Sequence, residues 1–117
     1  MTEAGAARQA RGRWGEREVA RWYERRGGVI VDRNWRCRAG ELDLVVRLGS
    51  TLVFCEVKAR ADDAYGGGLA AVGPRKQRRL RQLAMAWLDA HDVPNVDLRF
   101  DVAAVTGTTI DVIERAF

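Results

Sequence analysis

Apolar positions in the first third of the chain recur at the spacing of a helix. Val19, Ala20 and Tyr23 fall on one face of the stretch from about Gly12 to Arg26. Gly27-Gly28 follows at once and supplies the left-handed stop at which helices commonly end. The pattern therefore predicts a first helix over this stretch.

A second helix is predicted in the later half of the chain. Pro74 suits a first helical turn because its φ is already restricted, and the helix should end before Pro94. One stripe of this segment is apolar, which is typical of a helix that packs on a sheet. The stripe consists of Leu80, Leu83, Ala84, Trp87 and Leu88.

The remaining apolar segments alternate or run short, as strands do. Gly49-Ser50 between two of them indicates a two-residue hairpin turn of type II′. The resulting order is αβββαββ, and we expect an α/β domain with a mixed sheet. The predicted strands are about Val29–Trp35, Glu41–Leu48, Thr51–Arg60, Asp97–Val105 and Thr109–Arg115.

The length of 117 residues and 47% hydrophobic content suit a single packed domain spanning residues 1–117. Within it we expect residues 1–11 to be flexible and residues 61–73, which include a glycine triplet, to form a mobile loop. That loop lacks the spacing of a phosphate-binding P-loop, which argues against nucleotide binding. No apolar run reaches the roughly 20 residues of a membrane span, so we expect a cytoplasmic protein and no membrane partner.

Cysteine and histidine usage limits the chemistry further. Cys37 and Cys55 are the only cysteines, and a reducing compartment would leave them as thiols. His91 is the only histidine, which excludes a multi-histidine zinc site. Any metal would have to be a hard cation held by oxygen atoms.

Positive charge comes almost entirely from arginine. The net charge is +4, and only Lys58 and Lys76 of the 20 basic residues are lysines. Residues 1–40 carry ten arginines and five acids, and a second basic cluster surrounds Lys76. Forked guanidinium groups bind phosphate well, so nucleic acid is one interpretation of this charge. A bias toward arginine codons together with a solvated helix face is the other, and charge alone does not separate them.

The predicted hairpin brings acidic side chains together. If Leu48 faces Thr51, Asp43 lies opposite Glu56 and Glu41 opposite Lys58, all on one face. Two opposed carboxylates repel each other by roughly 1–3 kcal/mol. A divalent cation such as Mg²⁺ or Mn²⁺ would reverse the sign, with a nearby backbone carbonyl as a further oxygen ligand. The alternative is an ordinary cross-strand cluster of ion pairs.

Glu16 lies in the middle of the apolar stripe of the first helix, beside Val19 and Tyr23. A glutamate on a buried face needs a partner. It could be a third carboxylate of the metal site, or it could form a salt bridge with one of the arginines.

These residues carry a resemblance. Asp43 followed by Glu56-Val57-Lys58, with a preceding helix that bears Glu16, resembles the PD-(D/E)xK nuclease motif as arranged in archaeal Holliday-junction resolvases. Longer segments resemble the YraN-like family of small bacterial proteins, a predicted endonuclease group of restriction-endonuclease-like fold. They are Trp14–Glu16, Asn34–Leu44, Phe54–Lys58 and Pro74–Leu80.

The resemblance implies a role for each matched position. Asp43 and Glu56 would ligate Mg²⁺ or Mn²⁺ together with the Val57 carbonyl, Glu16 would assist, and Lys58 would orient or activate the attacking water. Leu42 stands where the motif has proline, a departure that weakens the match more than the chemistry.

The resemblance also implies a nucleic-acid surface. Gln77 resembles a glutamine that related nucleases place near the metal, although an ordinary polar residue in the first turn of a helix explains it equally well. The same two interpretations, phosphate contact or solvated face, apply to the arginines of the second helix. The predicted nucleic-acid-binding set is Arg36, Arg38, Arg60, Arg75, Lys76, Gln77, Arg78 and Arg79.

The function expected on this basis is a metal-dependent endonuclease that hydrolyses phosphodiester bonds in branched or otherwise structured DNA, with DNA favoured over RNA. Related resolvases cut two strands as dimers, which makes a homodimer one option. A non-catalytic nucleic-acid-binding module on the same fold is the alternative. A protein-interaction domain is a third option and predicts no salt-dependent affinity for DNA.

Overall fold

The computed structural model describes residues 3–60, 72–93 and 95–117, and it confirms the predicted order αβββαββ. A first helix leads into three strands, and a second helix precedes the last two strands. The seven elements are α1 (Glu3–Arg25), β1 (Val29–Cys37), β2 (Gly40–Leu48), β3 (Thr51–Arg60), α2 (Pro74–His91), β4 (Asp97–Thr106) and β5 (Thr109–Ile113).

The five strands form one mixed sheet in the order β1-β2-β3-β4-β5. Neighbouring strands are antiparallel except β3 and β4, which are parallel because the chain passes through α2 between them. A mixed five-stranded sheet with flanking helices is compatible with a restriction-endonuclease-like fold, as expected.

The turn between β2 and β3 has the predicted geometry. Leu48 pairs with Thr51, and Gly49 has φ +60° whereas Ser50 is not in the positive-φ region. Only the first central residue therefore needs left-handed backbone, which is the requirement of a type II′ turn. This turn sets the register of both strands, including the positions of the acidic residues.

The two helices cover opposite faces of the sheet and create two core clusters. Val19, Ala20 and Tyr23 of α1 pack on one face, and the predicted stripe of α2 packs on the other with Phe54 and Phe100. Strand residues alternate between the clusters, as Val53 and Phe54 do. Within the described ranges, neither helix is long and apolar enough to cross a membrane.

Helix α1 is longer than the periodicity predicted. It begins at Glu3 rather than near Gly12, so residues 3–11, which we expected to be flexible, are helical. The extension is rich in alanine and arginine, which are strong helix formers but leave no amphipathic pattern to detect. Of the predicted loop, residues 61–71 lie outside the described residues; Val72 packs against the α2 cluster and Gly73 caps α2.

A buried carboxylate ties the α1 face to the end of the chain. Asp101 is 1% exposed and accepts a hydrogen bond from the Tyr23 hydroxyl at 2.6 Å. Arg99 donates to both of its oxygens at 3.0 and 2.9 Å, and the backbone N–H of Arg115 donates at 3.0 Å. The carboxylate is thus paired with a guanidinium and hydrogen-bonded on both oxygens, the condition under which a buried charged group is tolerated.

This network predicts unequal losses of stability. Tyr23→Phe removes one hydrogen bond to a charged group and should cost about 1.5–3 kcal/mol. Asp101→Ala leaves the nearly buried Arg99 guanidinium only its longer contact with Glu114, at 3.5 Å, and should cost about 3–5 kcal/mol. Urea unfolding followed by far-UV circular dichroism measures both values. Equal losses would show that Asp101 has no role beyond its contact with Tyr23.

Candidate functional site

Asp43 and Glu56 lie side by side at the end of the β2-β3 hairpin far from its turn. The strands pair from Leu48 opposite Thr51 to Leu44 opposite Cys55, and Asp43 and Glu56 are the next residues in that register. Both carboxylates open onto one pocket of ≈ 240 Å³ between the sheet and α2. The described residues that line it are Glu41, Asp43, Glu56, Lys76, Arg79, Leu80 and Leu83.

The alternation of β2 breaks beside Asp43. Leu42 and Val45 both pack in the α2 cluster although three positions separate them, while Leu44 packs toward α1. Here the Val57 N–H donates to Asp43 Oδ2 at 2.8 Å, so a side chain takes the place of a ladder bond. The N–H and C=O of one strand residue project to the same side, and we therefore expect the Val57 carbonyl to face β2 as well.

The environment of Asp43 disfavours its negative charge. Burial is the largest cause and repulsion by Glu56 the next, and together they raise the pKa of Asp43 to about 7. The Val57 N–H acts in the opposite direction by stabilising the carboxylate, while Glu16 and Glu41 add further repulsion. The surroundings of Asp43 therefore favour its neutral form.

Lys76, in the first turn of α2, supplies a positive charge to this pocket. Its Nζ lies 2.7 Å from Glu56 Oε1. The Lys76 side chain is 41% exposed and that of Glu56 is 14% exposed. A solvent-accessible ammonium thus reaches a nearly buried carboxylate.

Glu16 approaches the acidic pair from the α1 side. Burial raises the pKa of Glu16, repulsion from Glu41 and Glu56 adds to that rise, and a hydrogen bond from the Asn34 side chain together with Arg33 opposes it. Asn34 carries φ +50° inside β1, and the β1-β2 register places it opposite Asp43. Glu16 thus has the Asn34 amide as its hydrogen-bond partner, and among the described residues it forms no salt bridge with an arginine.

The described residues at the pocket offer only a few oxygen atoms as ligands for a hard cation such as Mg²⁺. No group of three or more histidine, cysteine, aspartate or glutamate side chains in the described ranges is arranged to hold a metal ion. Asp43, Glu56 and the Val57 carbonyl remain as oxygen donors. Mg²⁺ in proteins commonly takes one or two carboxylates, with water and substrate phosphate completing its shell. Glu16 lies near this set but does not join it.

Lys58 follows Glu56 by two residues on β3. Val57 and Ala59 pack toward α1, so Glu56 and Lys58 share the α2 face as predicted. The predicted register placed Glu41 opposite Lys58. Instead, Glu41 forms an ion pair with Arg36 of β1, and the distance from Arg36 Nε to Glu41 Oε2 is 3.0 Å. Glu41 nevertheless lines the pocket with Asp43 and Glu56.

The basic side chains of α2 are mostly exposed. Arg75, Arg78 and Arg79 face solvent, and Arg79 Nε also donates to the Ala39 carbonyl at 3.3 Å, beside Gly40. Arg79 therefore extends across one wall of the pocket.

Other members of the predicted binding set are placed differently. Gln77 donates its amide N–H to the Val72 carbonyl at 2.9 Å, which is the role of an ordinary first-turn residue. Arg36 and Arg38 are exposed on β1 and in the following turn. Arg60 ends β3, and its side chain lies outside the described part of the structure.

Sequence reasoning missed Asn34 and the contact of Lys76 with Glu56. Asparagine is one of the few non-glycine residues that tolerate left-handed backbone, but nothing in an alternating strand pattern marks where that conformation occurs. Lys76 was assigned to the nucleic-acid surface by its charge alone, because the approach of α2 to β3 is a tertiary contact.

Comparison with known proteins places the chain in a family. Residues 15–105 match the model of the uncharacterised protein family UPF0102. The chain belongs to this family. It is 46% identical to a UPF0102 protein of Acidothermus cellulolyticus over 100% of both chains. Against a UPF0102 protein of Parafrankia sp. the identity is 52% over 83% of this chain and 82% of the relative. A UPF0102 protein of Herminiimonas arsenicoxydans is 43% identical over 94% and 88%.

The raised pKa of Asp43 in this UPF0102 chain predicts a pH-dependent effect of Asp43→Asn. The pKa is about 7 in the folded protein and about 3.9 when unfolded, so ionisation destabilises the fold increasingly from pH 4 to pH 7. Asparagine can still accept from Val57 and carries no charge. The variant should gain up to about 4 kcal/mol over wild type at pH 8 and little at pH 4.5, measured by urea unfolding. The same gain at both pH values would contradict the burial of an ionising carboxylate.

Asn34 allows a matched test of backbone strain. Left-handed backbone is unfavourable by about 1–2 kcal/mol for alanine, whereas glycine adopts it almost without strain. Asn34→Ala should therefore lower the free energy of unfolding by about that amount more than Asn34→Gly does. Both variants lose the amide beside Glu16. The difference between their free energies of unfolding, measured by thermal or urea unfolding, therefore reports the cost of the left-handed backbone. Equal stabilities would rule out a strained position.

Proposed function

We propose that this UPF0102 protein is a metal-dependent endonuclease that hydrolyses phosphodiester bonds in branched or otherwise structured DNA. The observation that carries the proposal is the approach of Asp43 and Glu56 in one pocket with Lys58 on the same strand face. Two half-buried carboxylates that repel each other weaken the fold, and a divalent cation between them would relieve that repulsion. The resemblance to PD-(D/E)xK nucleases supports phosphodiester hydrolysis as the reaction of this arrangement.

Each residue has a role in the proposed reaction. Asp43, Glu56 and the Val57 carbonyl would hold Mg²⁺ or Mn²⁺, which when bound stabilises charge on the phosphate and favours ionisation of water. Lys58 orients the attacking water, and Glu16, held by Asn34, adds negative charge beside that water. The burial of the Asp43 carboxylate strengthens these interactions, because charges interact more strongly where water is excluded.

The exposed arginines of α2 supply the proposed contact with the DNA backbone. Arg75 and Arg78 lie on the same helix as Lys76, whose ammonium already reaches the pocket. Guanidinium groups bind phosphate through paired N–H donors and give a salt-dependent affinity that does not depend on sequence. Selection by DNA shape rather than by base contacts is consistent with such a surface.

Cleavage assays with labelled DNA test the proposal. The purified protein should nick branched or flapped substrates in Mg²⁺ or Mn²⁺ and should fail in EDTA. Asp43→Asn and Glu56→Gln should each reduce the rate on the order of a hundredfold or more, because each removes a metal-ligand charge. Circular dichroism spectra like that of wild type would show that both variants fold. Undiminished cleavage by the variants would mean that a contaminant is responsible.

A non-catalytic nucleic-acid-binding module is the alternative, and the arginine surface of α2 favours it equally. Isothermal titration separates the two functions. A module would bind DNA with a steep dependence on salt, would take up no Mn²⁺ at the pocket and would cut no substrate.

A further inference from the structure

We propose that Lys76 is the built-in counterion of the pocket, which leaves Glu56 when a divalent cation binds and then contacts a substrate phosphate. The proposal rests on the proposed function. It assigns Lys76 two successive anionic partners rather than a fixed place on the DNA-binding surface.

The contact with Glu56 gives the first partner. Lys76 Nζ is 2.7 Å from Glu56 Oε1, and the Glu56 side chain is only 14% exposed. A carboxylate so nearly buried beside Asp43 needs a positive charge, and the ammonium supplies it. A doubly charged ion between Asp43 and Glu56 would neutralise the same carboxylate and repel the ammonium.

The position of Lys76 in α2 explains why it is not a simple stabilising ion pair. Helix N-termini carry partial positive charge and favour acidic residues in the first turn. The first turn of α2 has no acidic residue, has no side-chain cap at Gly73, and contains Arg75 and Lys76. This arrangement is unfavourable for the isolated helix and becomes favourable only opposite an anion.

The exposure of Lys76 gives it room to move. At 41% exposed, its four-carbon stem can swing from the pocket toward solvent without disturbing the core. Arg79 behaves differently, because it is bound to the Ala39 carbonyl across the pocket wall. A phosphate held at the pocket would therefore meet the ammonium of Lys76 as it leaves Glu56.

Mn²⁺ titration of the full chain, followed by calorimetry, tests the exchange. Lys76→Met removes the competing ammonium and should tighten Mn²⁺ binding roughly two- to fivefold, the worth of a partly exposed ion pair. Arg47→Met is the matched control, since Arg47 is exposed on β2, lies near the Gly49 turn and removes the same charge. The control should bind Mn²⁺ as wild type does.

DNA binding in Ca²⁺ provides the second arm of the test. Wild type should bind labelled branched DNA more tightly with Ca²⁺ than in EDTA, and Lys76→Met should lose most of that increase. Lys76→Arg keeps the charge and should retain much of it.

The outcomes separate this inference from the proposed function. Equal or weaker Mn²⁺ binding by Lys76→Met, with wild type binding normally, would overturn the exchange and leave the endonuclease proposal standing. No Mn²⁺ binding by wild type or by either methionine variant would overturn both. Tighter binding by the Lys76 and Arg47 variants alike would assign the effect to net charge and overturn the exchange.

Discussion

Repulsion between two carboxylates is the interaction on which the rest of the candidate site depends. The hairpin turn at Gly49 sets Asp43 and Glu56 next to each other. Burial, followed by repulsion from Glu56, raises the pKa of Asp43 to about 7. Neighbouring polar and charged groups stabilise the two carboxylates. The Val57 N–H donates a hydrogen bond to Asp43, and the Lys76 ammonium forms an ion pair with Glu56.

The fold confines the repulsion between carboxylates to the pocket between the sheet and α2. The two helices seal opposite faces of the sheet, so the strands that carry Asp43 and Glu56 are held by a core on both sides. The fully buried carboxylate of Asp101 lies outside the pocket and is hydrogen-bonded on both oxygens. No buried side-chain nitrogen or oxygen in the described part of the chain lacks a hydrogen-bond partner. Excess negative charge is thus a property of the pocket and not of loose packing.

The acidic pocket and the first turn of α2 compensate each other. The turn places basic residues at the positive end of a helix, and the pocket gathers carboxylates out of water. Either feature alone would lower stability. Their juxtaposition is understandable if both serve an anion and a cation that arrive together, as a phosphodiester and its metal do.

The sequence by itself determined the element order, the hairpin and the approach of Asp43 to Glu56, because a two-residue turn and alternation as far as Leu44 leave one register that buries the apolar face. It did not reveal that α1 begins at Glu3, since helix propensity without periodicity leaves no pattern. Only the tertiary structure decided that Asn34 holds Glu16, that Gln77 bonds to Val72 and that Lys76 reaches Glu56. Those contacts depend on how elements distant in sequence approach one another, which local periodicity does not encode.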